Sequence, residues 1–391
     1  MSRVHMQRAV RFAVAVCMAC LVSRGTMGQT GPRYVLTNDD NIYPNGMTVY
    51  RVGAGGVLSG EGQVLTSGFG IGAGFFGTNR IALSNGASQC AYISEAGTGD
   101  IVGIDVSTLR ITGTASGSAS DGGTANGIGL IIGGQYLYAS FTDSNAIGTF
   151  QVNPGCKLTF LGDTGVSGEQ AGTINAMAVH GTMMVVTYTD GSIESFNIAG
   201  GTPVSNGDKQ TSNGTQGSDG ATYPSSIDIS QDGRYAIFGD ISTSMVVEVS
   251  DISSGSLSPT VVYNLGNQIS SGNIQLSADE SLLYIANTQG DRITAAFFDK
   301  TTGKVSFGCV SGTLKNYVAG WSYLGALVST GIPASGAVLY VAEYGIPSSI
   351  AVLNVSSASG ACRVTESAAS PVVDPNSPGL LSIGFFPPRS F

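Results

Sequence analysis

The sequence predicts an all-β fold: a seven-bladed β-propeller of four-stranded antiparallel blades, its ring closed by the C-terminal strand. Three observations carry this expectation. A short segment rich in Tyr, Val, Ile and Ala recurs with Tyr34, Tyr92, Tyr138, Val185, Tyr235, Tyr284 and Tyr340 as registers, at intervals of 58, 46, 47, 50, 49 and 56 residues. A period near 50 marks a repeat architecture. Each recurrence is followed by a polar turn and a second alternating segment, the pattern of a strand pair. Finally, glycine supplies 57 of 391 residues and charged residues only 11%, against about 25% charged in an ordinary soluble domain. Long helices are disfavoured, because glycine costs roughly 1 kcal/mol per helical position and few charged pairs exist to decorate helix faces. Hydrophobic residues at 42% supply a core and exclude a chain disordered throughout.

The elements follow in chain order. The register strands are RYVLTN (33–38), CAYISEA (90–96), QYLYASF (135–141), TMMVVTY (182–188), RYAIFGD (234–240), LLYIANT (282–288) and VLYVAEY (338–344). Their partners are GMTVYRV (46–52), DIVGIDV (100–106), NAIGTFQV (145–152), GSIESFNI (191–198), SMVVEVS (244–250), DRITAAFF (291–298) and SSIAVLNV (348–355). A small-residue stretch precedes the register strand, as in NGIGLII (126–132), INAMAVH (174–180), SSIDIS (225–230) and GNIQLS (272–277). Asp-Gly at 232–233 suits a hairpin, since glycine accepts positive φ. Three short strands and a more variable fourth make one blade, and seven blades bury each other's faces. The first register strand has no inner strand upstream. LLSIGFFP (380–387) is the spare segment at the other end of the chain, and it is expected to complete the first blade and remove the exposed edges.

Residues 1–28 read as an export signal, with Arg3, Arg8 and Arg11 ahead of an apolar run of 11 residues, Phe12 to Val22. A membrane span needs about 20, so no stable span is expected here; lipoprotein anchoring at Cys20 is the lesser alternative. Residues 29–391 then form a single propeller domain, secreted or periplasmic. The chain's charge of −9 becomes −13 without the signal, from 13 basic and 26 acidic residues. Such a surface is a poor match for nucleic acid or anionic lipid. Cys90, Cys156, Cys309 and Cys362 remain, an even number that suits disulfides in an exported chain, with three connectivities open.

Sparse charge makes the candidate site residues few. His180, the only histidine of the exported chain, is a candidate general base because imidazole titrates near neutrality. Glu95 and Glu343 hold matching places at two strand ends, with Asp240 close to the same place in a third. If those ends point at the channel, two carboxylates face each other across it, where they could act as acid and base. Arg80, Arg234 and Arg292 are the cations best placed to meet an anionic group, Arg234 reading as a turn-side arginine after Asp-Gly, and Trp321 with Tyr323 offers an aromatic platform. GFGIGAGFFG (68–77) lacks a Walker lysine and reads as a flexible blade connection rather than a nucleotide loop. TNDDN (37–41) clusters oxygen ligands without the spacing of a calcium loop. No metal and no cofactor are expected.

YVLTNDDNIYPNGMTVYRV (34–52), SQDGRYAIFGD (230–240) and SADESLLYIANTQGDRITAAFFDKTTGKVSF (277–307) resemble the lactonase-type seven-bladed propeller family, which includes propeller phosphogluconolactonases and fungal muconate-cycloisomerase relatives. The resemblance spans essentially the whole exported chain. It implies metal-independent chemistry by histidine, arginine and acidic residues at the channel mouth. The His-Pro-His type segments of the enzymatic members are missing, and His180 alone can take an imidazole role. Two functions follow. The first is an exported binding or interaction propeller, a monomer whose partner is a small molecule, a glycan or an extracytoplasmic protein. The alternative is a hydrolase of a lactone or related cyclic ester, in which His180 or a carboxylate activates water and Arg80 or Arg292 stabilises the oxyanion. The alternative requires His180, an acid and an arginine to converge in one pocket.

Overall fold

A computed structural model describes residues 32–388, apart from 73–78, 87, 118–127, 143, 167–172, 214–222, 242–243, 267–270, 288–289, 317, 319–322, 331–335 and 359–360. The expected export signal, residues 1–28, lies outside the described residues. Among those described, no helix is long and apolar enough to cross a membrane, and the one helical element is a 3-10 turn at Ala54–Gly56.

Arg33–Phe391 forms one compact unit, built from seven antiparallel sheets. Blade 1 runs outward from Ser382–Phe386 through Tyr34–Asn38 and Gly46–Val52 to Leu58–Leu65. Blade 2 contains Ile81–Asn85, Gln89–Glu95, Asp100–Asp105 and Arg110–Ser116 in the same order. Blades 3 to 7 repeat the plan, with inner strands Ile128–Gly133, Ile174–His180, Tyr223–Ile229, Ser271–Leu276 and Tyr323–Ser329. Each inner strand touches the next around the ring, and that of blade 7 touches Ser382–Phe386. The C-terminal strand pairs antiparallel with the first, Tyr34 opposite Phe386 and Asn38 opposite Ser382, as the sequence predicts.

The recurring tyrosine has a physical reason. In blades 3, 5 and 7 its hydroxyl donates to a carbonyl in the next blade's turn between third and outer strands. Tyr138 reaches Gly201 at 2.8 Å, Tyr235 reaches Thr301 at 3.2 Å, and Tyr340 of blade 7 reaches Gly56 of blade 1 at 2.9 Å. Gly56 has φ +79°, and a Cβ there would stand 2.7 Å from Val338 Cγ1, so the receiving turn requires glycine. Two disulfides bridge adjacent blades. Cys90–Cys156 joins blade 2 to blade 3 and Cys309–Cys362 joins the outer strands of blades 6 and 7, with Cα–Cα distances of 5.4 and 5.7 Å.

Candidate active site

Every blade has an upper end, where its second strand turns into its third, and a lower end, where its inner strand turns into its second. Arg80 immediately precedes the inner strand of blade 2, at the upper end. Its backbone is tied on three sides: its N–H donates to Ser382 Oγ at 3.1 Å, and its carbonyl accepts from Asn38 Nδ2 and from the Ser94 N–H, each at 3.1 Å. The side chain forms an ion pair with Asp40 of blade 1, and both side chains are 3% exposed. Asp40 follows the first strand with φ +52° and accepts a further hydrogen bond from the Ile71 N–H at 3.2 Å. Burial raises the Asp40 pKa, against the opposing pull of Arg80.

Residues 66–72, which lead from the outer strand of blade 1 toward blade 2, lie across this pair. The Gly68 N–H donates to Glu95 Oε1 at 3.1 Å. A Cβ on Gly68 would come within 2.0 Å of Glu95 Oε2, and one on Gly70 within 2.2 Å of the Asp40 backbone. The sequence reads this glycine run as a flexible connection; over 66–72 it is instead a close-fitting clamp on two acids, and 73–77 lie outside the described residues. Burial also raises the Glu95 pKa. Beneath lies a second acidic pair. Asp39 accepts from Thr37 Oγ1, Thr48 N, Thr48 Oγ1 and Gln63 Nε2 at 2.6–3.1 Å, and burial together with Asp39 pushes Asp374 up to about 6.

Glu95 and Glu343 do occupy equivalent places at the upper ends of blades 2 and 7, opposite Asp100 and Ser349 of the third strands. They do not face each other across the channel. Glu343 is 3% exposed and takes a hydrogen bond from the Ser349 hydroxyl, while Glu95 is bound to the Gly68 amide. Alternation along the strand turns each carboxyl into a seam between blades. Burial pushes Glu343 up to about 7, with Glu366 adding to the shift. Asp240 is fully buried against Glu248, and burial first, then Glu248, holds it well above the carboxylate range.

His180 is placed away from all of these. It ends the inner strand of blade 4, so it lies at the lower end, its Nε2 2.9 Å from the Gln231 carbonyl oxygen in a turn of blade 5. At about 3.3 Å per residue the strand carries it about 20 Å from its upper end. His180 is therefore not brought together with Arg80, Arg292, Glu95 or Glu343; it packs on the blade 5 turn of Gln231, Gly233 and Arg234, whose Gln231 N–H is held by Glu280. Arg292 is at the upper end, half-buried beside Asp291 but in blade 6, away from Arg80. Tyr323 meets Tyr344 at the head of blade 7, ring centroids 6.1 Å apart; Trp321 lies outside the described residues. Sequence reasoning missed Asp40 as the partner of Arg80. Its signal was the paired acid of TNDDN directly after the first register strand. Among the described residues no group of three or more His, Cys, Asp or Glu is arranged to hold a metal ion.

Beside the ion pair the surface is apolar. Ile42 and Tyr43 are 65% and 70% exposed, and Tyr43 meets Phe69 edge-on at 4.9 Å.

The model of the family described as lactonase, seven-bladed beta-propeller, matches residues 91–375, well over half of the chain. Among solved structures, the periplasmic gluconolactonase of Pseudomonas aeruginosa is similar at 13% identity and TM-score 0.65, covering 91% of this chain and 99% of that one. A Bacteroides fragilis protein described as a candidate 6-phosphogluconolactonase is similar at 14% identity and TM-score 0.64, covering 92% and 99%. A Desulfotomaculum acetoxidans protein of unknown function is similar at 13% and 0.65, covering 91% and 99%. At these identities the likeness is one of fold. No curated protein matches the chain.

Proposed function

This chain belongs to the lactonase seven-bladed β-propeller family, and we propose that it is a hydrolase opening a lactone or related cyclic ester at the upper mouth of its channel. The observation that carries this reading is the buried Arg80–Asp40 pair at the head of an inner strand, with Asp40 two residues from the exposed Ile42 and three from Tyr43. The family match, with a gluconolactonase among the fold neighbours, favours hydrolysis over the binding module that the scarcity of histidine points to. The two disulfides and the periplasmic neighbour are compatible with an extracytoplasmic site of action.

In this reading Asp40 takes a proton from water as the oxygen adds to the lactone carbonyl carbon. The electron pair of the carbonyl moves onto its oxygen, and Arg80, cationic at any working pH, stabilises that oxyanion where little water competes. Collapse breaks the ring C–O bond, and the departing alkoxide takes the proton back from Asp40. The product is an open hydroxy acid. A carboxyl raised by burial suits the base, because a base works best with its pKa nearer the operating pH.

The test is a hydrolysis screen of the purified protein against a lactone panel, with Arg80→Gln, Asp40→Asn and His180→Ala. The expected loss of kcat/KM is about a hundredfold or more for the first two, the scale of a lost oxyanion donor, and less than about twofold for His180→Ala. Thermal melts establish that each variant is folded. No turnover above the uncatalysed rate by a cooperatively melting protein overturns the reading, as does an Asp40→Asn protein with full activity.

A further inference from the structure

The charges of this chain divide unevenly between the two ends of the ring. Among the described residues only four cations lie at the upper end: Arg80, Lys209, Arg292 and Lys315. Arg80 is held by Asp40. Lys315 Nζ donates to the carbonyl oxygens of Ser367 and Ser370 at 2.7 and 3.0 Å. Lys209 sits over the Tyr188 ring, 4.7 Å from its centroid, and Arg292 stands beside Asp291. The lower turns carry Arg110, Lys157, Arg234, Lys300 and Lys304, while Arg33, Arg51 and Arg363 lie on the lower halves of their strands or just before them. The undescribed stretches between 73 and 360 contain no lysine or arginine, so they bring no further cation to the mouth.

Carboxyl groups are distributed the other way. Each blade carries at least one at its upper end, from Asp39 in blade 1 to Glu343 in blade 7. Several of these are buried, as Asp240 is, so the field outside the ring is set mainly by the exposed Asp163 and Asp190 and the half-buried Asp100 and Asp291. At the lower end the acids are matched by cations, as in Arg51–Glu61 at 2.6 Å and Arg234–Asp251 at 3.7 Å. Among the described residues the excess of acid is therefore concentrated on the face that holds the candidate site.

We infer that the upper mouth admits an uncharged lactone and turns away a phosphorylated one, and that it repels the carboxylate formed on ring opening. The inference rests on the lactonase reading and adds to it the charge of the substrate. Like charges around a cleft with low-dielectric walls depress the local concentration of an anion as strongly as they raise that of a cation. A phosphate ester brings a charge of roughly −2, whereas the lactone ring brings none until it opens. Hydrolysis thus converts a ligand the face tolerates into one it expels, which speeds product release.

Salt separates this from a steric preference. The screening length is about 8 Å at 0.15 M and about 30 Å at 0.01 M, so at low salt the whole rim acts on an approaching anion. The experiment measures kcat/KM for an aldonic δ-lactone and for its 6-phosphate ester at 10, 150 and 500 mM NaCl. The uncharged lactone is expected to be favoured roughly tenfold at 150 mM and about tenfold more at 10 mM, with its own kcat/KM nearly independent of salt. In the triple variant Asp100→Asn, Asp163→Asn, Asp291→Asn, kcat/KM for the phosphate ester should rise several-fold at 10 mM while that for the uncharged lactone stays. Equal turnover of the two, or a preference for the phosphate ester, overturns the inference and leaves the lactonase reading standing. Turnover of neither by a folded protein overturns both.

Discussion

Removing Leu380–Phe391 should cost the ring its cooperative fold. The segment places Leu380, Leu381, Ile383, Phe385 and Phe386 at 0 to 9% exposure. At about 1.5–3 kcal/mol for each buried side chain, these contribute about 7–15 kcal/mol, the whole range of net stability of a typical domain. The truncation also strips five backbone pairings from Tyr34–Asn38 and leaves that strand as an open edge. Its loss reaches the candidate site, since Ser382 Oγ holds the Arg80 amide and the Ile383 carbonyl accepts from Asn79. A milder version keeps the experiment quantitative. Ile383→Ala should cost about 2–5 kcal/mol; with a melting entropy of about 2.1 cal/mol/K per residue over about 360 residues, that lowers Tm by about 3–7 °C. Calorimetry and circular dichroism of both proteins are the assay. A truncated monomer with one sharp transition within about 7 °C of the intact chain would refute closure by the C-terminal strand.

Two further outcomes follow from other parts of the ring. The disulfides close stretches 66 and 53 residues apart, so Cys90→Ala/Cys156→Ala and Cys309→Ala/Cys362→Ala should each lose about 2–4 kcal/mol; denaturant midpoints unchanged in both would remove the bridges from the stability argument. Glu343, raised from 4.5 to about 7 by burial, keeps in the native chain a proton that the unfolded chain gives up at lower pH. Its stabilisation is full below about pH 4.5 and lost as pH rises through 7, a change on the order of 3 kcal/mol at about 1.4 kcal/mol per pH unit. Glu343→Gln should flatten the fall in urea stability between those values, and an identical slope in the variant would show that other groups set it.

The blade repeat was legible because its causes are local. Alternation of apolar and polar residues sets which face of a strand is buried. The tyrosine recurs because a buried seam recurs, and in blades 3, 5 and 7 its hydroxyl meets the same turn of the next blade. Even the closing strand could be found by counting, since Tyr34–Asn38 has no inner neighbour upstream. The variable outer strands were less legible: Cys309 and Cys362 lie inside them, which is why their partnership stayed open until the blades were stacked.

The site belonged to the tertiary structure. His180 and Arg80 looked alike in sequence, each beside an inner strand, yet one ends its strand and the other precedes one, which sends them to opposite faces of the ring. Glu95 and Glu343 matched in register, but the alternation that made them recognisable also turned them into seams. Asp40 became the partner of Arg80 only because the clamp at 66–72 and the closing strand bring blades 1 and 2 together. The blade, its period and the total charge could be read along the chain, because they depend only on sequence neighbours and composition. Which charges share a mouth depends on which end of each strand carries them, and only the closed ring decides that.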